Sequence, residues 1–229
     1  MKKQIIILVT VLAGIITAFS QSEKTAKPNY KKIQKDISAK ESTFYYPNLM
    51  KRFMASDTTM TLDEKRHLYY GYIYQDTYSP YGHSNYTDSL KVLMQKRQLS
   101  NDELKNVIVF SDSILTKNPF DLRVMNTKLF AYKEFKNDSA FQKTLNKVKI
   151  IIDALLSSGN GRKKKTAFYV IKVSHEYDLL NILGFSFGGK QSLIEHYDYL
   201  TVAENPQKIE GFYFDVSPSL NSLNKMFKK

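Results

Sequence analysis

Ser186 has the surroundings that most invite an enzymatic reading. Gly184-Phe185-Ser186-Phe187-Gly188 fits G-x-S-x-G, the pattern that holds a nucleophilic serine at a tight strand-to-helix turn beside an oxyanion hole. Such a hydrolase needs a parallel sheet around the elbow, then an acid and a histidine later in the chain. Here the only later histidine is His196, with Glu195 the sole acid before it, and Asp198, Glu204, Glu210 and Asp215 all follow it. The order is wrong for a triad, so an exported serine hydrolase using Ser186 is the alternative reading. The favoured one is a glycine-containing strand or hairpin in which Gly188-Gly189 makes a turn. The same stretch mimics a phosphate loop, Gly184-x4-Gly189-Lys190, but Gln191 stands where Ser or Thr would hold magnesium. No cofactor is expected.

The four histidines, His67, His83, His175 and His196, form no H-E-x-x-H. A metal site could pool His175, Asp178, His196 and Asp198 only if the fold joined their two segments, and exposed turns or helix caps explain those residues more simply. No catalytic or metal residue is therefore assigned. Tyrosine is the remaining signal: Tyr69, Tyr70, Tyr72, Tyr74, Tyr78, Tyr81 and Tyr86 put 7 of 16 tyrosines within 18 residues. A helix with rings on every side cannot bury them all alike. Rings with a polar tip either fill seams between helices or serve a partly wet contact surface. Filling the seam is the expected role, with Tyr78, Tyr81 and His83 the candidates for a contact through the loop Ser79 to Asn85.

The elements that must position these residues change character along the chain. Leu122, Met125, Leu129 and Tyr132 run at spacings of 3, 4 and 3, and Phe141, Leu145, Val148, Ile152 and Leu155 repeat the device, so each set lies on one helix face. Asp138 or Ser139 is expected to cap the second of these, and Asp121 lies close to the start of the first. A third helix covers Ser100 to Leu115 and stops at Asn118-Pro119, because proline disfavours helical geometry in the residue before it. Helices joined by short breaks suggest antiparallel hairpins of the tetratricopeptide kind, although no 34-residue repeat is present. At Ser157 to Gly161 the pattern breaks. Ala167–Val173, Phe185–Ile194, Tyr197–Val202 and Tyr213–Val216 read as strands, and His175–Leu183 as a short helix that Ser174 could cap.

Composition sets the outer bounds. With 42% hydrophobic and 24% charged residues in 229, the chain can build a sizeable core without a disulfide or metal staple. The absence of Cys removes thiol catalysis and thiolate zinc sites. Met1-Lys2-Lys3, the uncharged stretch Ile5 to Phe19, and Ala18-Phe19-Ser20 before Gln21 have the layout of a signal peptide cut between Ser20 and Gln21. No membrane span is expected after cleavage. The net charge of +12 becomes +10 once Lys2 and Lys3 are lost. Only five of the 34 basic residues are Arg and the lysines are scattered, which argues against nucleic acid and for weak attraction to acidic surfaces.

Three strings in order, LYYGYIYQDTYSPY at 68–81, SGNG at 158–161 before AFYVIKVSHEYDLLNILG, and YDYLTVAENPQKIEGFYFDVS at 197–217, resemble the exported Bacteroidetes family called domain of unknown function 4919. The resemblance implies a secreted, mostly helical protein ending in strands, and it brings no catalytic residues. The combined expectation is an α+β fold, with N-terminal helical hairpins and a small C-terminal antiparallel sheet. The expected organisation is a signal peptide at 1–20, a polar linker at 21–28 and a single domain at 29–229. Within that domain the helical part covers 29–157 and the β-rich part 166–217. The expected function is a non-enzymatic periplasmic or secreted binding module whose partner is an envelope or secreted protein.

Overall fold

A computed structural model describes residues 25–227. The proposed signal peptide and its cleavage point lie outside the described residues.

Among the described residues seven α-helices come first: α1 (Tyr30–Ser38), α2 (Tyr46–Met54), α3 (Leu62–Gly71), α4 (Tyr86–Gln95), α5 (Asn101–Lys117), α6 (Leu122–Glu134) and α7 (Asp138–Leu156). Their starts follow capping chemistry. Asn29 accepts from the Lys32 amide, and Thr61 with Glu64 and Ser100 with Glu103 form reciprocal capping boxes on α3 and α5. Asp121 caps α6 through the Val124 amide. At α7 the cap is Asn137, which accepts from Ala140, and not Asp138 or Ser139; the helix begins one residue earlier than the acid-serine pair suggested.

Consecutive helices α4 to α7 pack on one another, while α3 packs on α1, α2 and α7. The apolar spacing explains why: Leu122, Met125 and Leu129 of α6 and Leu145, Val148, Ile152 and Leu155 of α7 are all buried.

The second half carries β1 (Phe168–Tyr169), α8 (Ser174–Ile182), β2 (Phe187–Ile194), β3 (Tyr197–Val202), β4 (Gly211–Asp215) and α9 (Ser217–Phe227). The four strands form one sheet in the order β1-β4-β3-β2. The fold is α+β, helices mostly first and a small sheet after. The sheet is mixed and not purely antiparallel as expected, since β1 runs parallel to β4. Between these two strands the chain makes α8 and the β2–β3 hairpin, so β4 returns beside β1 in the same direction. The seven-residue strand expected at 167–173 shortens to Phe168–Tyr169. Val170 and Ile171 are buried against the helices instead, so their β-branched character serves the core. Ser174 is the first residue of α8 and makes no cap, the N-cap position being Val173.

One large apolar cluster runs from Ile33 and Tyr46 through α3, α6 and α7 to Phe212 and Phe214 of β4. A smaller one joins Leu90, Leu104, Val107, Ile114, Val124 and Ala131 of α4, α5 and α6. No helix among the described residues is long and apolar enough to cross a membrane.

Candidate functional site

The serine motif lies on the wrong kind of turn. After α8, Gly184 takes a left-handed conformation (φ +82°), and the Phe185 amide donates to Leu180 O at 2.9 Å, closing the helix. Ser186 O then accepts from the Ala203 amide at 2.8 Å and Phe187 opens β2. The passage is helix to strand, the reverse of a nucleophile elbow. Gly188 and Gly189 make no turn either. They sit within β2 where pairing shifts from Phe187↔Val202 to Gln191↔Leu200, and Gly189 (φ +91°) accommodates the bulge.

The hairpin turns instead at Glu195-His196, at the far end of the strand, with Glu195 at φ +63°. At about 3.3 Å per residue, β2 holds Ser186 and His196 on the order of 25 Å apart. His196 meets other partners: its Nε2 lies 3.5 Å from Asp215 and its ring packs on Tyr197. The phosphate-loop reading fails for the same reason, because a strand and not a helix follows Lys190.

His175, Asp178 and Asp198 are buried, not exposed turn residues as the sequence suggested, while His196 at the hairpin turn is half-exposed. His175 stands in a relay across three parts of the fold. Its Nε2 donates to Phe120 O at 2.9 Å, Tyr69 O–H donates to its Nδ1 at 2.7 Å, and the Ile171 amide donates to Tyr69 at 3.3 Å. Burial drives the imidazole down to about 4, so it is neutral. With both ring nitrogens engaged it is not a free ligand. Among the described residues no group of three or more His, Asp or Glu could hold a metal ion.

Glu176 has 0% exposure, and its carboxyl faces that of Asp198 on β3, to which its protonated form can donate a hydrogen bond. Burial first, then the facing charge of Asp198 on β3, push its carboxyl up to about 9. Asp198 itself accepts from Gln191 Nε2 at 2.8 Å, and Gln191 in turn accepts from the Tyr177 hydroxyl at 2.6 Å.

The tyrosine cluster divides by depth. Tyr69, Tyr70 and Tyr72 are buried and use their hydroxyls on backbone carbonyls or on His175. Tyr78 is half-buried and donates to Ile171 O at 2.6 Å. Tyr81 is 45% exposed, with its phenol raised by burial and by the nearby Asp198 and Glu176 charges. His83 is exposed, 3.6 Å from Asp88.

His83 also borders a cleft that no single sequence motif announces. Its outer lobe, about 560 Å³, is walled by the Thr77 to Thr87 segment, the end of α5 and the residues before α8, with Lys117, Arg123 and Lys172 among its lining. Its inner lobe, about 440 Å³, is bounded by Leu90 and Met94 of α4, Leu122 and Val124 of α6, and Asp178 of α8. Thr87, Ile114, Arg123 and Val124 wall both. Volumes in this range suit a drug-sized ligand or a short peptide, and apolar walls with a few polar groups are usual for such sites.

The polar groups of this cleft are only loosely paired. Arg123 approaches Asp178 Oδ1 at 3.6 Å and Lys172 approaches Asp121 at 3.5 Å, both beyond good hydrogen-bond distance. Asp121 is already engaged by the Val124 amide at 3.0 Å and Asn118 Nδ2 at 2.9 Å. Asp178 is 7% exposed and its enclosed Oδ2 has no hydrogen-bond partner among the described residues. Burial pushes its carboxyl up to about 7 against the opposing pull of Arg123. Sequence reasoning weighed Asp178 only for metal and passed over Arg123 and Lys172. These residues come from separate elements, and the one local hint was the capping position of Asp121.

The chain belongs to the family described as domain of unknown function (DUF4919), whose model matches residues 31–225. No curated protein and no solved structure matches it.

Proposed function

We propose that this DUF4919 protein is an exported Bacteroidetes binding module, without catalytic activity of its own, that holds part of an envelope or secreted protein in the cleft between α4, α6 and α8. The observation that carries the reading is the pairing of apolar walls with the buried Asp178 carboxyl and its loosely paired, exposed Arg123 in that cleft. Ser186 and His196, which an enzymatic reading would need together, sit at opposite ends of β2. Export rests on the charged start, apolar centre and small residues at 18–20.

The natural chain has no cysteine, so single cysteines can be placed cleanly. A benzophenone attached at Thr87→Cys, in the cleft wall, is expected to give a discrete adduct with a partner in intact cells. The same label at Lys143→Cys, on the exposed face of α7, is expected to give none. Adducts from both sites or from neither would sink the cleft as the contact. Mass spectrometry of the envelope fraction is expected to find a mature N-terminus at Gln21.

A further inference from the structure

The cleft carries a more specific reading, which rests on the binding role above. Three features converge at its waist. Lys117, Arg123 and Lys172 outnumber Asp121 in the outer lobe, so that lobe is electropositive. Among the described residues the carboxylates paired with Arg123 and Lys172 lie at 3.6 and 3.5 Å, long ion pairs from which the cations can turn toward a ligand anion. Beside Arg123, Asp178 borders the inner lobe, with its Oδ1 3.6 Å from the guanidinium and its Oδ2 enclosed by protein. A cation and a carboxylate 3.6 Å apart present a donor and an acceptor to whatever lies across them. Beyond them the inner lobe is mostly apolar, with Leu90, Met94, Leu122 and Val124 on its wall beside Lys91 and Gln95.

We propose that the cleft receives the free C-terminus of a peptide whose last side chain is apolar. The terminal carboxylate meets Arg123 and Lys172, the last backbone N–H donates to Asp178, and the terminal side chain fills the inner lobe. A carboxylate and an N–H on one α-carbon match an adjacent Arg–Asp pair in spacing and in polarity. An aliphatic amine would satisfy Asp178 but meet three cations in the outer lobe, and a bare anion would leave the apolar walls wet. The outer lobe gives the preceding residues room, and its hydroxyls, Thr77, Ser79 and Ser84 among them, can serve the peptide backbone.

Fluorescence anisotropy of a fluorescein-tagged pentapeptide ending in leucine tests this on the purified protein. The free acid is expected to bind. Its C-terminal amide and a version ending in aspartate are each expected to bind about tenfold more weakly or worse, the scale of one charge-assisted hydrogen bond. Arg123→Gln and Lys172→Gln are each expected to lose a similar factor, and Lys143→Gln none. The Arg123 side chain is 68% exposed, so its replacement removes little packing, and Asp178, left without its counter-charge, can take up a proton.

Equal binding of acid and amide, full binding by Arg123→Gln, or no binding of any of the peptides would overturn the proposal. So would free leucine competing as well as the peptide, since the site would then serve an amino acid. If the Thr87 adduct persists while acid and amide bind equally, the cleft remains the contact and only the terminus chemistry falls.

Discussion

Glu176 shows at the residue scale what burial beside a like charge does. In the unfolded chain its carboxyl titrates near 4.5, and in the fold near 9. Between those values the native state holds a proton that the unfolded chain has released, so stability falls as pH rises. The slope is at most about 1.4 kcal/mol per pH unit. Asp178 acts with the same sign up to about 7. His175 acts oppositely, losing stability as pH falls from 6.5 toward about 4. Above about pH 7.5 Glu176 is therefore left as the main contributor of the three. Urea unfolding from pH 7.5 to 9 is expected to show a falling midpoint in the native protein and a flat one in Glu176→Gln. Parallel slopes would mean that Glu176 is not the source. Tyr69 gives a second test at this scale: Tyr69→Phe strips the donor from His175 Nδ1 and the acceptor from the Ile171 amide, so it is expected to cost about 1–3 kcal/mol. At the exposed ring, Tyr81→Phe is expected to stay within about 0.5 kcal/mol.

At the scale of elements, what could be read from the sequence was what is local. The 3-and-4 spacing of Leu122, Met125 and Leu129, the break at Asn118-Pro119 and the β2–β3 strands all depend on neighbours within a few residues, and all are present. The parallel β1–β4 pairing was not legible, because it joins residues some 46 positions apart across an intervening helix and hairpin. The cleft was illegible for a like reason: Arg123 opens α6, Lys172 precedes α8 and Asp178 lies within α8, and no period relates them. His175 and Asp178 were misjudged because polar residue types suggest exposure, whereas α8 packs on α6 and buries both. Capping gives this scale its own prediction. Ser100 accepts from the Glu103 amide at the start of α5, so Ser100→Ala is expected to cost about 1 kcal/mol. In a chain of this size that lowers the thermal midpoint by about 2–4 °C in a calorimetric scan.

For the whole molecule, the placement of the cleft between the two apolar clusters matters more than its volume. Leu90, Ile114 and Val124 belong to the smaller cluster and Leu122 to the larger, and all four line the inner lobe. The large cluster ties α1, α3, α6, α7 and the sheet together, whereas α4 packs chiefly on α5. Local opening costs least where few buried apolar contacts must separate, so α4 is the wall able to swing without unfolding the rest. A ligand that seats its side chain against Leu90 and Met94 adds contacts that exist only when α4 is closed, and mass action then shifts α4 toward that state. Hydrogen exchange read by mass spectrometry is expected to show α4 amides exchanging well ahead of those of α7 in the free protein. Saturating peptide with a free apolar C-terminus is expected to slow α4 selectively. Uniform slowing across α7 and the sheet would instead mean that the ligand stabilises the molecule globally and that α4 is not a separately moving wall.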